Sequence, residues 1–181
     1  DPLTGLVNRI VLAERIEWAL TRPVGSRRHT LAIIDVDHFK NFNDALGHAV
    51  GDELQVAVGH RILEELPPSG MVARLGGDEF AVLLDDLSSD ESVDWAERVR
   101  QRLRHPFPIA GRELLVSVSI GLLCTDPHGP QVPPSDAMRD ADLALHAAKA
   151  AGGNRVTLFQ PELRTQRLDF SRISTQLRQA V

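Results

Sequence analysis

The chain has 181 residues, of which 43% are hydrophobic and 25% charged, with a formal net charge of −5. This composition predicts one folded α/β domain, and the acidic balance disfavours nucleic acid as a partner. A single cysteine, Cys124, excludes a disulfide framework or a thiolate metal cluster. No apolar run approaches the roughly 20 residues that span a bilayer, so we expect a cytoplasmic domain. Because the chain begins at Asp1 without Met, we expect it to be part of a longer protein, whose membrane attachment the sequence leaves open.

Hydrophobic spacing and turn residues predict alternating helices and strands. The first half of the chain is predicted to contain helix 8–21, strand 30–37, a helical zone from His38 that Gly47 interrupts, helix 52–66, and strands 71–75 and 80–84. Helix 92–103 follows, with a capping box from Ser88 and Glu91, and then a β-ribbon over 107–124 that turns at Ala110–Gly111. The last predicted elements are a helix through Met138 that Gly152–Gly153 ends, strand 155–159 and a helix over 161–181. The order predicts an α/β (α+β) fold with a ferredoxin-like βαββαβ core and an added hairpin. Its sheet would be mixed, mainly antiparallel and flanked by helices.

The stretch "RLGGDEFAVLL" at residues 74–84 has two interpretations. In the first it is a β-hairpin whose turn dihedrals come from Gly76 and Gly77. In the second, Asp78 and Glu79 lie beside a backbone bare enough for a phosphate to approach. The stretch alone does not separate the two, so the choice depends on whether other residues join these acids.

Strand 30–37 offers such partners, because it ends on Asp35 and Asp37. If it pairs with the hairpin, which the pattern does not establish, Asp35 meets both acids of the turn. Three close carboxylates repel one another unless a cation lies among them, and oxygen ligands suit Mg²⁺ or Mn²⁺. The adjacent helix start at His38–Phe39–Lys40 favours phosphate through its free backbone N–H groups. These features together indicate a metal–nucleoside triphosphate site.

Each feature also has a plainer interpretation. Asp35 or Asp37 could cap the following helix, and Lys149 could favour the dipole at its helix end. His48 could be a loop residue and Asp52 a helix N-cap. The chain has only two lysines, Lys40 and Lys149, which makes each of them a candidate for a specific contact.

Several short stretches of the sequence, in a fixed order along the chain, resemble those of a known protein family. The chain resembles the GGDEF family of diguanylate cyclases from "DPLTGLVNR" at residues 1–9 to "AKAAGGNRV" at 148–156. The stretches between them that match are "IIDVDHFKNFND", "LGHAVGDELQ", "ARLGGDEFAVLL", "VSVSIGL" and "ADLALHAAKAAGGNRV". The resemblance implies a cyclase-type palm fold that condenses two GTP molecules into cyclic di-GMP and two pyrophosphates. Two domains would face each other as a homodimer.

The resemblance also implies roles for individual residues. Asp35, Asp78 and the Val36 carbonyl would bind the metal, and Glu79 would be a further ligand or help activate the ribose 3′-OH. The remaining substrate contacts would come from Asn43, Asp52 and His48 at the guanine, from the His38–Phe39 backbone, Lys40 and Lys149 at the triphosphate, and from Gly76 and Gly77.

The chain departs from the family pattern in three respects. Pro67 and Gly70 replace the RxxD motif of the family's product site, so we expect no feedback site. Gly153 replaces a common arginine, so we expect one phosphate contact to be missing. His146 replaces a tyrosine, a change expected to affect packing only.

The domain is predicted to cover residues 1–160, with a helical connector over 161–181. That tail resembles the helix leading into an EAL phosphodiesterase domain in tandem proteins. It could also be a plain terminal helix, or seed a dimer through Phe170, Ile173, Leu177 and Val181. We expect an upstream sensory domain as well. The main rival to an active cyclase is a silent GTP-binding module that regulates a neighbouring phosphodiesterase; a cyclic di-GMP receptor is disfavoured by Pro67 and Gly70.

Overall fold

The computed structural model describes residues 1–21 and 27–165. Its helices are α1 (Arg9–Leu20), α2 (Phe39–Leu46), α3 (His48–Glu64), α4 (Ser89–Leu103) and α5 (Pro134–Ala150). Its strands are β1 (Val7–Asn8), β2 (His29–Val36), β3 (Met71–Gly76), β4 (Glu79–Asp85), β5 (Phe107–Ile109), β6 (Arg112–Leu114), β7 (Val118–Cys124) and β8 (Val156–Leu158).

Six of the strands form one mixed sheet in the order β1-β3-β4-β2-β7-β8. The four central strands pair antiparallel, and the outer strands β1 and β8 pair parallel with β3 and β7. The elements β2, α3, β3, β4, α4 and β7 therefore make the predicted ferredoxin-like βαββαβ core. The predicted fold class is confirmed.

The predicted β-ribbon over 107–124 is only partly confirmed: a hairpin turns at Ala110–Gly111 as expected, but the ribbon ends at Leu114. The short hairpin of β5 and β6 forms its own two-stranded sheet, whereas β7 joins the main sheet and pairs with β2 along its whole length. Alternating Val and Ser residues, as at 116–120, are typical of a strand with one buried face. In fact Ser119 is fully buried like Val118 and Ile120, because helices cover both faces of the sheet here.

Helix boundaries depend on capping. The predicted capping box at α4 is present, with the Ser88 hydroxyl accepting from the Glu91 N–H and the Glu91 carboxylate accepting from the Ser88 N–H. The interruption at Gly47 is also present, where the backbone adopts a φ of 87°. However, α3 begins at His48 rather than at the predicted residue 52.

Two apolar layers hold the helices on the sheet. One covers the face that contacts α3 and α4, and the other lies under α1 and α5. Helix α5 packs unusually close to β7 at Gly121, where a Cβ atom would lie 2.2 Å from the Leu145 nitrogen and 2.3 Å from the Ala141 oxygen. A glycine is required at this position because any side chain would push α5 away from the sheet.

Among the described residues, no helix is long and apolar enough to cross a membrane. The predicted domain boundary at residue 160 lies two residues after the end of β8 and stays a prediction. The predicted connector over 161–181 falls largely outside the described residues, as do the four apolar residues that could seed a dimer. Both stay predictions.

Candidate functional site

The site is built where β2 ends beside the β3–β4 hairpin. Antiparallel pairing places Asp35 directly opposite Glu79, so both side chains project from the same face of the sheet. Asp78 lies in the turn one residue before Glu79, and both acids are half-buried. The strand pairing that the sequence left open therefore occurs, and it brings the three acids to one edge of the sheet.

The "RLGGDEFAVLL" stretch is a hairpin, as the first interpretation held. Gly76 and Gly77 adopt φ values of 142° and 56°, and a Cβ on either would meet no atom within 4 Å. The glycines thus serve the turn and leave its outer side open. The same turn places Asp78 and Glu79 beside this open backbone, so the second interpretation is compatible with the hairpin and stays a prediction.

Arg74 fixes this hairpin, a role that sequence reasoning missed. Its Nε donates to the Gly77 carbonyl at 3.0 Å, and its guanidinium pairs with the Asp1 carboxylate at 3.1 Å. It also donates to the Gln55 side-chain oxygen. The position of the arginine two residues before the glycine turn was the available signal, but its partners Asp1 and Gln55 lie far away in sequence.

Asp35 is the most constrained of the three acids. It is only 5% exposed, and the Lys149 ammonium lies 2.6 Å from its Oδ2 atom. Burial raises the pKa of the Asp35 carboxyl from 3.8 to about 6. The hydrogen bond from Lys149 opposes this rise in pKa, and the negative charges of Asp78 and Glu79 add to it. The site therefore holds an excess of negative charge that Lys149 partly balances.

Lys149 lies in the last turn of α5, where a cation also favours the helix dipole. The plainer interpretation of this residue is thus compatible with its position but incomplete, since its ammonium contacts Asp35 on the sheet.

Asp37 has a structural role. Its carboxylate accepts hydrogen bonds from the Ser117 and Ser119 hydroxyls at 2.7 and 2.6 Å and from the Asn154 N–H at 2.9 Å. It joins the end of β2 to β7 and to the loop after α5. Neither Asp35 nor Asp37 caps α2, whose N-cap, His38, makes no side-chain capping bond. The capping interpretation of these acids is wrong.

A cleft of about 360 Å³ opens beside Asp35. Its walls are Asp35, Asp37, His38, Lys149, Gly152 and Gly153. His38 takes up the left-handed conformation, with a φ of 59°, and α2 starts at the next residue, buried Phe39. The His38 side chain makes no capping hydrogen bond, so it leaves the N–H groups in the first turn of α2 available. Lys149 and this helix start favour an anion in the cleft, whereas Asp35 and Asp37 disfavour one unless a cation neutralises them.

Asn43, His48 and Asp52 lie on the α2–α3 hairpin, beyond the first turn of α2 that carries exposed Lys40. His48 is the first residue of α3 and Asp52 lies in its second turn, so neither the loop nor the N-cap interpretation is correct. Both side chains are exposed. The carboxamide oxygen of Asn43 is buried without a hydrogen-bond partner among the described residues, and a Cβ at Gly51 would lie 1.8 Å from it.

The described residues contain no group of three or more His, Cys, Asp or Glu side chains placed closely enough to hold a metal ion. In this conformation Asp35 has an ammonium partner instead. The chemistry of the site nevertheless fits a hard cation, because a buried carboxylate lies beside two further carboxylates whose charges raise its pKa.

A family model described as "Diguanylate cyclase, GGDEF domain" matches residues 1–155. The chain therefore belongs to the GGDEF family, as its resemblance predicted. A solved relative is the GGDEF domain of TpbB (YfiN) from Pseudomonas aeruginosa, which is 34% identical with a TM-score of 0.86 and covers 93% of this chain and 98% of its own.

Two relatives from the same organism match the whole chain. They are the cyclic di-GMP phosphodiesterase NbdA, at 35% identity, and the bifunctional diguanylate cyclase/cyclic di-GMP phosphodiesterase MucR, at 33%. The chain spans only 23% and 26% of their lengths. Relatives of this domain thus include proteins named for making cyclic di-GMP and proteins named for degrading it.

Proposed function

We propose that this domain is a diguanylate cyclase that condenses two GTP molecules into cyclic di-GMP with release of two pyrophosphates. The observation that carries the proposal is the register of β2 and β4, which places Asp35 opposite Glu79 beside the Asp78 turn. Family membership supports the same reaction class.

In this reaction the 3′-oxygen of one GTP attacks the α-phosphorus of the other, and the bond from the α-phosphorus to the bridging oxygen breaks. The 3′-OH proton passes to Glu79 or, through water, to solvent, and pyrophosphate leaves. A Mg²⁺ or Mn²⁺ ion held by Asp35, Asp78, Glu79 and the Val36 carbonyl would polarise the α-phosphate and neutralise the leaving group.

The chain's own cations and amides would hold the triphosphate. The backbone of His38 and Phe39, at the uncapped start of α2, faces the anion, and Lys40 lies on the same turn. Lys149 lines the cleft from α5. The open sides of Gly76 and Gly77 let the phosphates approach the backbone of the hairpin. Positioning and electrostatics of this kind supply most of the catalysis in phosphoryl transfer.

The guanine would be read on the α2–α3 hairpin. With its oxygen against Gly51, the Asn43 amide has its NH₂ group left to donate to an acceptor on the base. The exposed Asp52 carboxylate would accept from the guanine N–H groups, with exposed His48 one helical turn before it. Guanine presents its O6 acceptor beside the N1–H and N2–H donors, which complements an amide donor beside a carboxylate, whereas adenine presents its donor and acceptor in the opposite order.

Each domain holds one GTP, so two domains must face each other as a homodimer for both attacks.

We also propose that the product does not bind at residues 67–70. The 480 Å³ pocket that Pro67 lines has one basic residue, Arg98, against four acidic ones, Glu64, Glu65, Glu91 and Asp94. Such a surface repels a dianionic product. Calorimetric titration with cyclic di-GMP should show no tight binding that depends on these residues.

The test incubates the purified domain with GTP and Mg²⁺ at concentrations that allow dimers, and separates the products by chromatography. Cyclic di-GMP should form with the native chain and with Asp90→Asn, an exposed acid on α4 used as the control. It should disappear with Asp78→Asn. Bound but unreacted GTP at every concentration would overturn the cyclase proposal.

That outcome would instead support a second function, a silent GTP-binding module regulating an adjacent phosphodiesterase. One relative that matches the whole chain is named a phosphodiesterase, and Gly153 stands where the family often has a phosphate-binding arginine. In either case we place the domain between an upstream sensory domain and a downstream EAL domain, in a cytoplasmic part of the parent protein. The much greater lengths of NbdA and MucR support neighbouring domains.

A further inference from the structure

Lys149 occupies the position next to Asp35 that a metal ion would need. Its ammonium nitrogen is 2.6 Å from Oδ2 of Asp35, and the side chain of that acid is only 8% exposed. A buried carboxylate offers few directions from which a second cation can approach. A divalent ion therefore cannot take Oδ2 while the ammonium stays.

The displaced ammonium has somewhere to go. Lys149 is 40% exposed and lines the cleft together with His38 and Gly153, where the triphosphate is expected. Without a nucleotide, moving the ammonium leaves it unpaired in water. With a nucleotide, the phosphates accept it, so its release from Asp35 costs less free energy.

We propose that Lys149 is a resident counter-ion of Asp35 that a divalent cation must displace and the triphosphate then accepts. This inference rests on the proposed function of the cleft. It makes Lys149 the residue through which cation and nucleotide bind with positive coupling, because each ligand removes an obstacle to the other. Without GTP, the domain would hold its metal weakly.

The placement of Lys149 depends on the close packing of α5. Gly121 lets the helix backbone approach β7 at Leu145, one turn before Lys149. The buried Ala148 beside it fixes the rotation of the helix. The ammonium thus reaches Asp35 from a rigid element, so competition with a metal ion is a fixed property of the fold.

The test measures Mn²⁺ binding by electron paramagnetic resonance of free Mn²⁺, with and without a non-hydrolysable α,β-methylene analogue of GTP. The variant is Lys149→Met, which removes the charge but keeps the length of the chain. The matched control is Lys40→Met, which removes the only other lysine, an exposed residue on α2. General loss of positive charge affects both variants, whereas loss of the direct competitor affects only the first.

For Lys149→Met we expect nucleotide-free Mn²⁺ affinity to rise, on the order of tenfold, and the coupling to the analogue to fall by a similar factor. The analogue itself should bind less tightly. Lys40→Met should weaken analogue binding with little change in nucleotide-free Mn²⁺ affinity. Nucleotide-free Mn²⁺ affinity that is unchanged or lower in Lys149→Met would overturn the inference while leaving the proposed function intact. Failure of the native chain to bind either ligand would overturn both.

Discussion

Replacing Asp35 should make the domain more stable while removing its activity. The ionised Asp35 carboxylate is buried next to two other acids, and its pKa is raised from 3.8 to about 6. A rise of this size corresponds to about 3 kcal/mol of lost stability once the carboxyl is ionised. Solvent in the neighbouring cleft screens part of this, so we expect Asp35→Asn to gain about 1–3 kcal/mol at pH 8.

The pH dependence of stability shows whether the ionised Asp35 carboxylate stabilises or destabilises the fold. Because the folded pKa of Asp35 lies above the unfolded value, its favourable contribution is fully present below 3.8 and is lost as the pH rises through about 6. The advantage of Asp35→Asn over the native chain should therefore be large at pH 8 and nearly absent at pH 4. Taking the difference between the free energies of unfolding of the two proteins cancels the contributions of the other titrating groups.

Urea unfolding with EDTA present, followed by the fluorescence of buried Trp95, measures the free energy of unfolding. Asp90→Asn removes an exposed acid from the first turn of α4; as the control, it should lower stability at pH 8 by less than about 1 kcal/mol. An Asp35→Asn protein that is no more stable than the native chain at pH 8 would refute the reasoning. So would a gain of equal size at pH 4.

Three glycines give further predictions. Gly51→Ala should keep or raise stability but reduce the preference for GTP over ATP at least about tenfold, because its Cβ displaces the Asn43 amide. Gly121→Ala should lower the free energy of unfolding by about 1–3 kcal/mol, since its Cβ meets the backbone of Leu145. Gly153→Arg should tighten GTP binding about tenfold through a restored phosphate contact, at about 1 kcal/mol of strain from its φ of 72°. Competition binding measures the first and third, and urea unfolding the second.

Different results would contradict each of these. Unchanged base preference in Gly51→Ala would mean that the alanine does not displace Asn43 or that Asn43 does not read the base. Native stability in Gly121→Ala would mean that α5 can move at no cost. For Gly153→Arg, unchanged GTP affinity would mean that the family's arginine is not missed in this chain.

The overall order of the elements was predictable because each has a strong local signal. The capping box of Ser88 and Glu91 marks α4, and the interruption at Gly47 separates α2 from α3. The start of α3 was not predictable from a capping residue, because no side chain caps it at Gly47. The course of β7 was also missed, since its pairing with β2 is a long-range contact that alternating Val and Ser do not encode.

Part of the candidate site was likewise predictable from the sequence, and part was not. Asp35, Asp78 and Glu79 could be predicted from their chemistry, because three neighbouring carboxylates indicate a cation site. The roles of the other site residues came from the family resemblance. The sequence could not show that Lys149 pairs with Asp35, or that Asp37 ties β2 to β7 through Ser117 and Ser119. Each of these contacts joins residues at least 80 positions apart, so only the folded sheet brings them together.

The most direct test of the central claim compares the native domain with the same domain fused to a dimerising coiled coil, each given GTP and Mg²⁺, with cyclic di-GMP identified by mass spectrometry. Our account predicts that the native domain makes product at a rate rising with the square of its concentration while it is mostly monomeric. The fused dimer should make it at a rate proportional to concentration, and Asp78→Asn should abolish product in both. Intact GTP in the presence of the fused dimer, shown separately to bind GTP, would contradict the account.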